Sequence, residues 1–170
     1  MPENYTNYSI DKYVYDFIKK SNVILCKLEP NKITILNMFL TILIGYLFYK
    51  KKSINIILIL TLVRSILDIL DGGIARKCNK TSKAGKYLDI INDVSFSIML
   101  CFLTIININP KFEKYINILY FLIIFFIYGC YNSLTTNYDI FSNNIISKLV
   151  HDNLIIVTEI YIYILYSLIK

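Results

Sequence analysis

Residues 68–93 read DILDGGIARKCNKTSKAGKYLDIIND, and this stretch decides the fold because it joins two apolar segments through a short polar loop. Asp68 and Asp71 lie at positions i and i+3, while Asp89 and Asp93 lie at i and i+4. On a helix, either spacing places both carboxylates on one face, about 5–6 Å apart. The loop is short enough for an antiparallel helical hairpin, so we expect the two pairs to converge.

The four aspartates lie at the ends of apolar segments, where an ionised side chain carries a large free-energy cost. An ionisable side chain well inside a membrane span costs about 2.5–3.5 kcal/mol, so it usually faces a polar cavity and a partner. Four neighbouring carboxylates stay ionised only if cations compensate them. Oxygen ligands without nearby His or Cys favour Mg²⁺ or Mn²⁺, and their number suits two ions, an arrangement that clamps the oxygens of a displacement at phosphorus. We therefore predict a metal site for phosphoryl chemistry on a membrane substrate.

Small and basic residues between the acids fit the same chemistry. Gly72 and Gly73 would let a ligand approach the backbone closely. Arg76 offers a planar, bidentate partner for phosphate. Gly85 would let the following span pack tightly against its neighbour.

Three acidic or basic residues leave alternatives open. Asp89 could cap a helix N-terminus, although capping explains only one or two of the four acids. Arg64, one turn before Asp68, could either neutralise the site or bind a phosphate on the second substrate. Glu159, a lone acid inside an apolar segment, could face either a cavity or the core of the bundle.

The rest of the 170-residue chain is too apolar for a soluble domain, since 56% of its residues are hydrophobic and 18% are charged. Average globular proteins are roughly 45–50% apolar and about 25% charged. We predict a single all-α domain over residues 1–170, a polytopic membrane bundle in which an amphipathic helix at residues 10–28 lies in the membrane interface. Five spans follow this helix, and the polar residues 137–152 form an interfacial loop or short helix. The predicted spans are Ile33–Tyr49, about Ile54–Asp71, about Tyr87–Ile108, Tyr115–Leu134 and Leu154–Ile169.

The basic residues predict the orientation of these spans. They are not massed on one polar face, so the net charge of +6 does not indicate nucleic-acid binding. Eleven Lys and Arg lie on the N-terminal side of the bundle, against six on the other, which places the N-terminus and the loop between spans two and three in the cytoplasm. The four cysteines form no CxxC pair, and we expect small apolar fillers in a reducing compartment.

The fixed residues of the stretch resemble a known signature. Read from Asp68 to Asp93, they follow D-x2-D-G-x2-A-R-x8-G-x3-D-x3-D, in which Ala75 and Gly85 are structural positions. Every fixed position is similar to the signature of the class I CDP-alcohol phosphatidyltransferases. Residues 30–34, PNKIT, resemble the P-N-x-I/L-T sequence of the same family. The two matches cover residues 30–93, which the resemblance identifies as the nucleotide- and metal-binding part.

The resemblance implies a reaction of phospholipid biosynthesis. A CDP-linked lipid such as CDP-diacylglycerol gives its phosphatidyl group to an alcohol, and CMP leaves. Asp68 and Asp89 would bridge two divalent cations, Mg²⁺ or Mn²⁺, while Asp71 would complete the first site. Asp93 would complete the second and act as the general base. The donor would be bound by Asn31, Lys32, Ile33, Thr34, Gly72, Arg76 and Ser82.

Family members are usually homodimers with six spans in each chain. By this comparison the chain looks one span short. A missing span would affect dimer packing and the acceptor pocket. Two alternatives to the transferase stay open. One is a non-catalytic scaffold or a cation-binding transporter that uses the acidic cluster. The other is an intramembrane prenyltransferase, whose paired aspartates lack the D-G-x2-A-R element. The acceptor alcohol is chosen by residues outside the signature.

Overall fold

A computed structural model describes residues 10–21, 23–116 and 154–170. These residues form helices and no β-strand, which confirms the predicted all-α class. The α-helices are α1 (Ile10–Lys20), α2 (Pro30–Tyr49), α3 (Ile54–Lys77), α4 (Lys83–Asn107) and α5 (Leu154–Ile169). Short 3₁₀ helices at Val23–Lys27 and Pro110–Tyr115 follow α1 and α4.

Local sequence explains where the long helices begin. Pro30 occupies the first turn of α2, where its missing N–H costs nothing and its fixed φ suits a helix. Ser82 caps α4, because its hydroxyl accepts a hydrogen bond of 2.9 Å from the Gly85 N–H. Between α3 and α4, Asn79 adopts φ 54°, a left-handed conformation that Asn tolerates better than most residues. The predicted hairpin is therefore present.

The predicted span boundaries are close to those of the helices, with one substantial difference. α5 has the predicted limits, and α2 and α4 begin a few residues early. α3 does not end at Asp71 but continues through Gly72 to Lys77, so both of its aspartates lie inside the helix. The predicted span Tyr115–Leu134 lies almost wholly outside the described residues, as does the polar stretch 137–152.

Length and composition would allow α2 and α4 to cross a membrane. α3 is 24 residues long, but charged side chains interrupt its apolar sequence. α5 has only 16 residues, fewer than the roughly 20 that a span needs. The number of spans stays a prediction.

The prediction of a single helix over residues 10–28 is wrong in its extent, because α1 ends at Lys20. The Lys77 ammonium of α3 donates to the Ile18 carbonyl at 2.6 Å and also to the carbonyls of Lys19 and Ser21. Carbonyls in the last turn of a helix lack intrahelical partners, and a lysine is a suitable donor for them. The end of α1 is therefore capped by a tertiary contact together with a local one, since the Ser21 hydroxyl also donates to the Ile18 carbonyl at 2.7 Å.

The helices pack around an apolar core at the end of the bundle far from the α3–α4 loop. Phe48 of α2 and Tyr166 of α5 meet edge to face, with ring centroids 5.7 Å apart. The Tyr166 hydroxyl also donates to the Lys52 carbonyl at 2.5 Å, which ties α5 to the α2–α3 loop. The buried core residues are Ile44, Phe48, Ile57, Phe96, Leu100, Cys101, Ile162, Leu165, Tyr166 and Ile169.

Apolar side chains cover the outside of the long helices, while polar ones lie within. Phe39 of α2 is 66% exposed, whereas Asn37, two residues earlier, is fully buried. The other exposed apolar residues include Ile35, Ile42, Ile59, Ile91, Phe102, Ile106, Ile160 and Ile164. Ionisable groups inside a bundle with an apolar exterior are typical of proteins whose solvent is lipid.

Candidate active site

The α3–α4 hairpin brings three of the four signature aspartates together. Asp68 of α3 and Asp89 and Asp93 of α4 each offer a carboxylate oxygen within 4.8 Å of the others. All three are half-buried. The predicted convergence of the two pairs is thus present for three of the four aspartates, and it follows from the i, i+3 and i, i+4 spacings on facing helices.

The fourth aspartate has a different neighbour. Asp71 is buried, and its Oδ2 accepts a hydrogen bond of 2.6 Å from the Thr34 hydroxyl of α2. Thr34 is itself buried, with 3% of its surface exposed. The family resemblance implied a nucleotide contact for Thr34, whereas the structure places its hydroxyl on a carboxylate of the signature.

The charge and hydrogen bonding of this cluster suit a hard cation. Asp89 Oδ1 is buried and has no hydrogen-bond partner among the described residues. Such an oxygen is costly to bury unless something compensates its charge. The donor set consists of carboxylate oxygens, the ligands that Mg²⁺ and Mn²⁺ prefer. The residues therefore fit a divalent metal.

A network of buried polar side chains supports the cluster from inside the bundle. Asn37 Nδ2 donates to Asp68 Oδ1 at 3.3 Å. The Thr41 hydroxyl donates to Asn92 Oδ1 at 3.0 Å and accepts from Arg64 Nε at 3.2 Å. Since hydrogen-bonded partners fix the orientation of ligands, this network positions the carboxylates.

Sequence reasoning missed most of this network, although α2 carried a signal for it. Thr34, Asn37 and Thr41 lie at i, i+3 and i+7, which places them on one face of an otherwise apolar helix. A polar stripe of that kind indicates that the face lies against polar groups.

A cleft of about 610 Å³ opens beside the cluster, between the start of α2, the end of α3 and the start of α4. It brings together five of the seven residues predicted to bind the donor. Lys32 and Ile33 do not line it, and the Lys32 ammonium instead pairs with Glu29 at 3.0 Å. The cleft is lined by Pro30, Asn31, Thr34, Asp71, Gly72, Ala75, Arg76, Lys80, Thr81, Ser82, Lys83, Gly85, Lys86 and Asp89.

The lining of the cleft favours an anionic ligand. Arg76 and three lysines, Lys80, Lys83 and Lys86, stand at its rim, while Asp71 and Asp89, the latter from the carboxylate cluster, also line it. Guanidinium and ammonium groups are the usual protein partners of phosphate. A ligand with a phosphate chain could therefore lie against the basic rim and beside the carboxylates at once.

Two glycines of residues 68–93 have distinct surroundings. A Cβ at Gly85 would lie 2.9 Å from Asn31 Oδ1, so the missing side chain makes room for Asn31 at the cleft. A Cβ at Gly73 would lie 2.6 Å from Ile18 Cδ1. The missing side chain of Gly73 therefore makes room for Ile18 of α1, and not for the ligand that the sequence suggested.

The N-terminal segment is fastened to the loop that carries the cleft. Cys26 and Cys78 form a disulfide, with Cα atoms 5.6 Å apart. The Lys80 ammonium donates to the carbonyls of Cys26 and Leu28 at 2.6 and 3.0 Å. The expectation that all the cysteines are unpaired is wrong for this pair, which the fold joins across 52 residues of sequence. Cys101 is free and buried, as expected.

Comparison with known proteins identifies the family. The family model described as CDP-alcohol phosphatidyltransferase matches residues 27–167. The chain belongs to the CDP-alcohol phosphatidyltransferase family.

A curated relative agrees with this assignment. The chain is 42% identical over 62 residues to an archaetidylinositol phosphate synthase of Pyrococcus horikoshii. The match covers 36% of this chain and 32% of that protein, so the chain spans about a third of the relative it matches. No solved structure matches the chain.

The sequence-based recognition of the family is confirmed. Family members are membrane proteins that take CDP-alcohol donors and alcohol acceptors and generally use a divalent metal. The cluster of Asp68, Asp89 and Asp93 is where the described residues could hold such an ion.

Proposed function

We propose that this protein transfers a phosphatidyl group, or a related phospho-alcohol group, from a CDP-linked lipid to an alcohol and releases CMP. The observation that carries the proposal is the junction of the basic cleft with the carboxylate cluster, because Asp89 belongs to both and Asp71, one turn after Asp68, also lines the cleft. A pyrophosphate bound along Arg76 would present its phosphorus to the cluster.

The four aspartates divide the chemical work. Asp68, Asp71, Asp89 and Asp93 would together hold two divalent cations. When bound, the cations would neutralise charge that develops on the phosphoryl oxygens. Thr34 supports this arrangement by holding Asp71, and Asn37 supports it by holding Asp68.

The transfer itself exchanges one P–O bond for another. The acceptor oxygen attacks the phosphorus next to the lipid alcohol, and the bond from that phosphorus to the oxygen of CMP breaks. Asp93 takes the proton of the acceptor hydroxyl, since a neutral alcohol is a poor nucleophile. Gly72, Arg76 and Asn31 would hold the donor, while Ser82 lines the same cleft and also caps α4.

The name of the curated relative suggests which acceptor to try first. Inositol phosphate is the first candidate, followed by glycerol phosphate, serine and free inositol. From the family resemblance we also propose that two copies pair in the membrane, with the N-terminus and the cleft on the cytoplasmic side.

The test uses the full chain purified in detergent, radiolabelled CDP-diacylglycerol or its archaeal ether counterpart, Mn²⁺ or Mg²⁺, and each acceptor in turn. We expect CMP release with at least one acceptor and a new lipid whose headgroup identifies it. Asp93→Ala should abolish release, whereas Glu113→Gln, at an exposed acid of the 3₁₀ helix that follows α4, should not. Absence of CMP release with every acceptor, or full activity of Asp93→Ala, would refute the proposal.

Saturable CDP binding separates this proposal from a cation transporter. We expect CDP to protect the cleft lysines from amine-reactive labelling, with Lys111 on the 3₁₀ helix after α4 as an unprotected reference. Metal flux without CDP protection would indicate transport instead.

A further inference from the structure

Arg64 is a buried cation that lies against the candidate catalytic base but outside the signature. It is 4% exposed, on α3, one turn before Asp68. Its Nη2 lies 2.6 Å from Asp93 Oδ1, an ion pair that joins α3 to α4. A guanidinium does not deprotonate in proteins, so this charge is permanent.

Three groups fix the orientation of the guanidinium. Asp93 accepts from Nη2, and the Thr41 hydroxyl of α2 accepts from Nε at 3.2 Å. The ring of Phe96, one turn after Asp93, lies beneath it with its centroid 4.1 Å from Cζ. Arg64 is therefore held by α2 and α4 and cannot follow a substrate without breaking contacts with both.

This geometry decides between two roles for a cation at this position. A residue that captures a phosphate on the acceptor needs free donors aimed into open space. In Arg64, Nη2 and Nε instead donate hydrogen bonds to protein groups, and the side chain is almost wholly buried. Its contacts fit a residue that neutralises the cluster.

We propose that Arg64 is a positioning residue that acts as a built-in cation of the metal cluster, an inference that rests on the proposed function. It engages Oδ1 of Asp93 and so leaves Oδ2 for the proton of the acceptor hydroxyl. Its positive charge also offsets one carboxylate, which lowers the affinity of the cluster for divalent cations.

Removing the charge of Arg64 should change two quantities in opposite directions, because metal affinity should rise while kcat should fall. Arg64→Met removes a positive charge beside the carboxylates, so Mn²⁺ should bind at least about tenfold more tightly, because charges a few ångströms apart in a protein interact strongly. The same variant removes the ion pair that orients Asp93. The kcat should therefore fall by about 10–100-fold, while the KM for the CDP-lipid stays near that of the wild type. Arg64→Lys keeps the charge and should restore wild-type Mn²⁺ affinity.

Thr41→Val separates orientation from charge. This variant removes the acceptor of Nε but no charge, so kcat should fall severalfold with unchanged Mn²⁺ affinity. Thr61→Val is the matched control, because Thr61 is a buried threonine of α3 whose hydroxyl donates to the Ile57 carbonyl in its own helix.

Mn²⁺ binding is measured by electron paramagnetic resonance on the full chain in detergent, without lipid substrates. The affinity is therefore obtained even if no acceptor is turned over, so the inference and the proposed function can fail separately. Mn²⁺ affinity of Arg64→Met that is unchanged or weaker would overturn the inference. If that variant does not fold, Arg64→Lys and Thr41→Val decide the question, since equal loss of Mn²⁺ affinity in both would indicate a merely structural role.

Discussion

The hydroxyl of Thr34 on α2 donates a 2.6 Å hydrogen bond to Oδ2 of Asp71 on α3. This bond lies between the two parts of the chain that resemble the family, PNKIT at the start of α2 and the aspartate signature. The two motifs thus form one site, in which α2 supplies the hydrogen bond and α3 the carboxylate.

Replacing Thr34 by valine should impair transfer without unfolding the bundle. The change keeps the shape of the side chain but leaves the buried Asp71 carboxylate without this donor, a loss of about 1–3 kcal/mol. We expect CMP release to fall by about 10–100-fold, since ligand orientation depends on such partners. Thr34→Ser should recover most of the rate, and Thr104→Val, at the far end of α4, should match the wild type. A fully active Thr34→Val would show that the bond is unimportant.

Removing the divalent metal should stop the reaction reversibly. A chelator is expected to abolish CMP release, and added Mg²⁺ or Mn²⁺ should restore it. Asp89→Asn should weaken Mn²⁺ binding by more than about tenfold, because it removes a negatively charged ligand from the cluster. Glu113→Gln provides the control for loss of an exposed acid. Activity that persists in chelator would contradict the metal site.

Adding a methyl group at Gly85 should weaken binding of the CDP-lipid donor more than it destabilises the fold. The new Cβ would meet the far end of the Asn31 side chain, which can move, and the Ser82 hydroxyl at 3.0 Å. We expect Gly85→Ala to raise the KM for the CDP-lipid by about tenfold or more, since small displacements of positioning groups are costly. Ala84→Ser, next to it on the exposed side of α4, serves as the control. An unchanged KM would exclude Asn31 from donor binding.

The Cys26–Cys78 disulfide should stabilise the attachment of the N-terminal segment. Closing a loop of 52 residues contributes about 4 kcal/mol in the chain-entropy description. Reductant should therefore lower the thermal unfolding temperature of the wild type in detergent. The double variant Cys26→Ser/Cys78→Ser should unfold at that lower temperature with or without reductant. Equal stability of oxidised and reduced wild type would contradict this role.

Regular spacing made part of the site predictable. The i, i+3 and i, i+4 pairs of aspartates and the short loop between them sufficed to predict convergence, because helix geometry alone places each pair on one face. Long apolar segments also located α2, α4 and α5 to within a few residues. The end of α3 was harder, since the apolar segment was predicted to end at about Asp71, whereas Gly72 and Gly73 lie in a helix whose packing offsets their cost.

Contacts between distant segments were not predictable from spacing. The sequence left two roles open for Arg64, and only the positions of Asp93 and Thr41 decide between them. Gly73 looked like a ligand position, but Ile18 of α1 occupies the space beside it. These choices depend on the relative placement of helices, which local periodicity does not encode.

The sequence by itself determined the helical class, the carboxylate hairpin and the family, because each follows from residue types at fixed local spacings. The tertiary structure alone decided which partner each polar side chain takes: Thr34 for Asp71, Arg64 for Asp93, Lys77 for the end of α1 and Cys26 for Cys78. A buried polar group must find a partner wherever the packed helices bring one within reach. That requirement is met in three dimensions, across 59 residues of chain between Lys77 and Ile18 and across 114 between Tyr166 and Lys52.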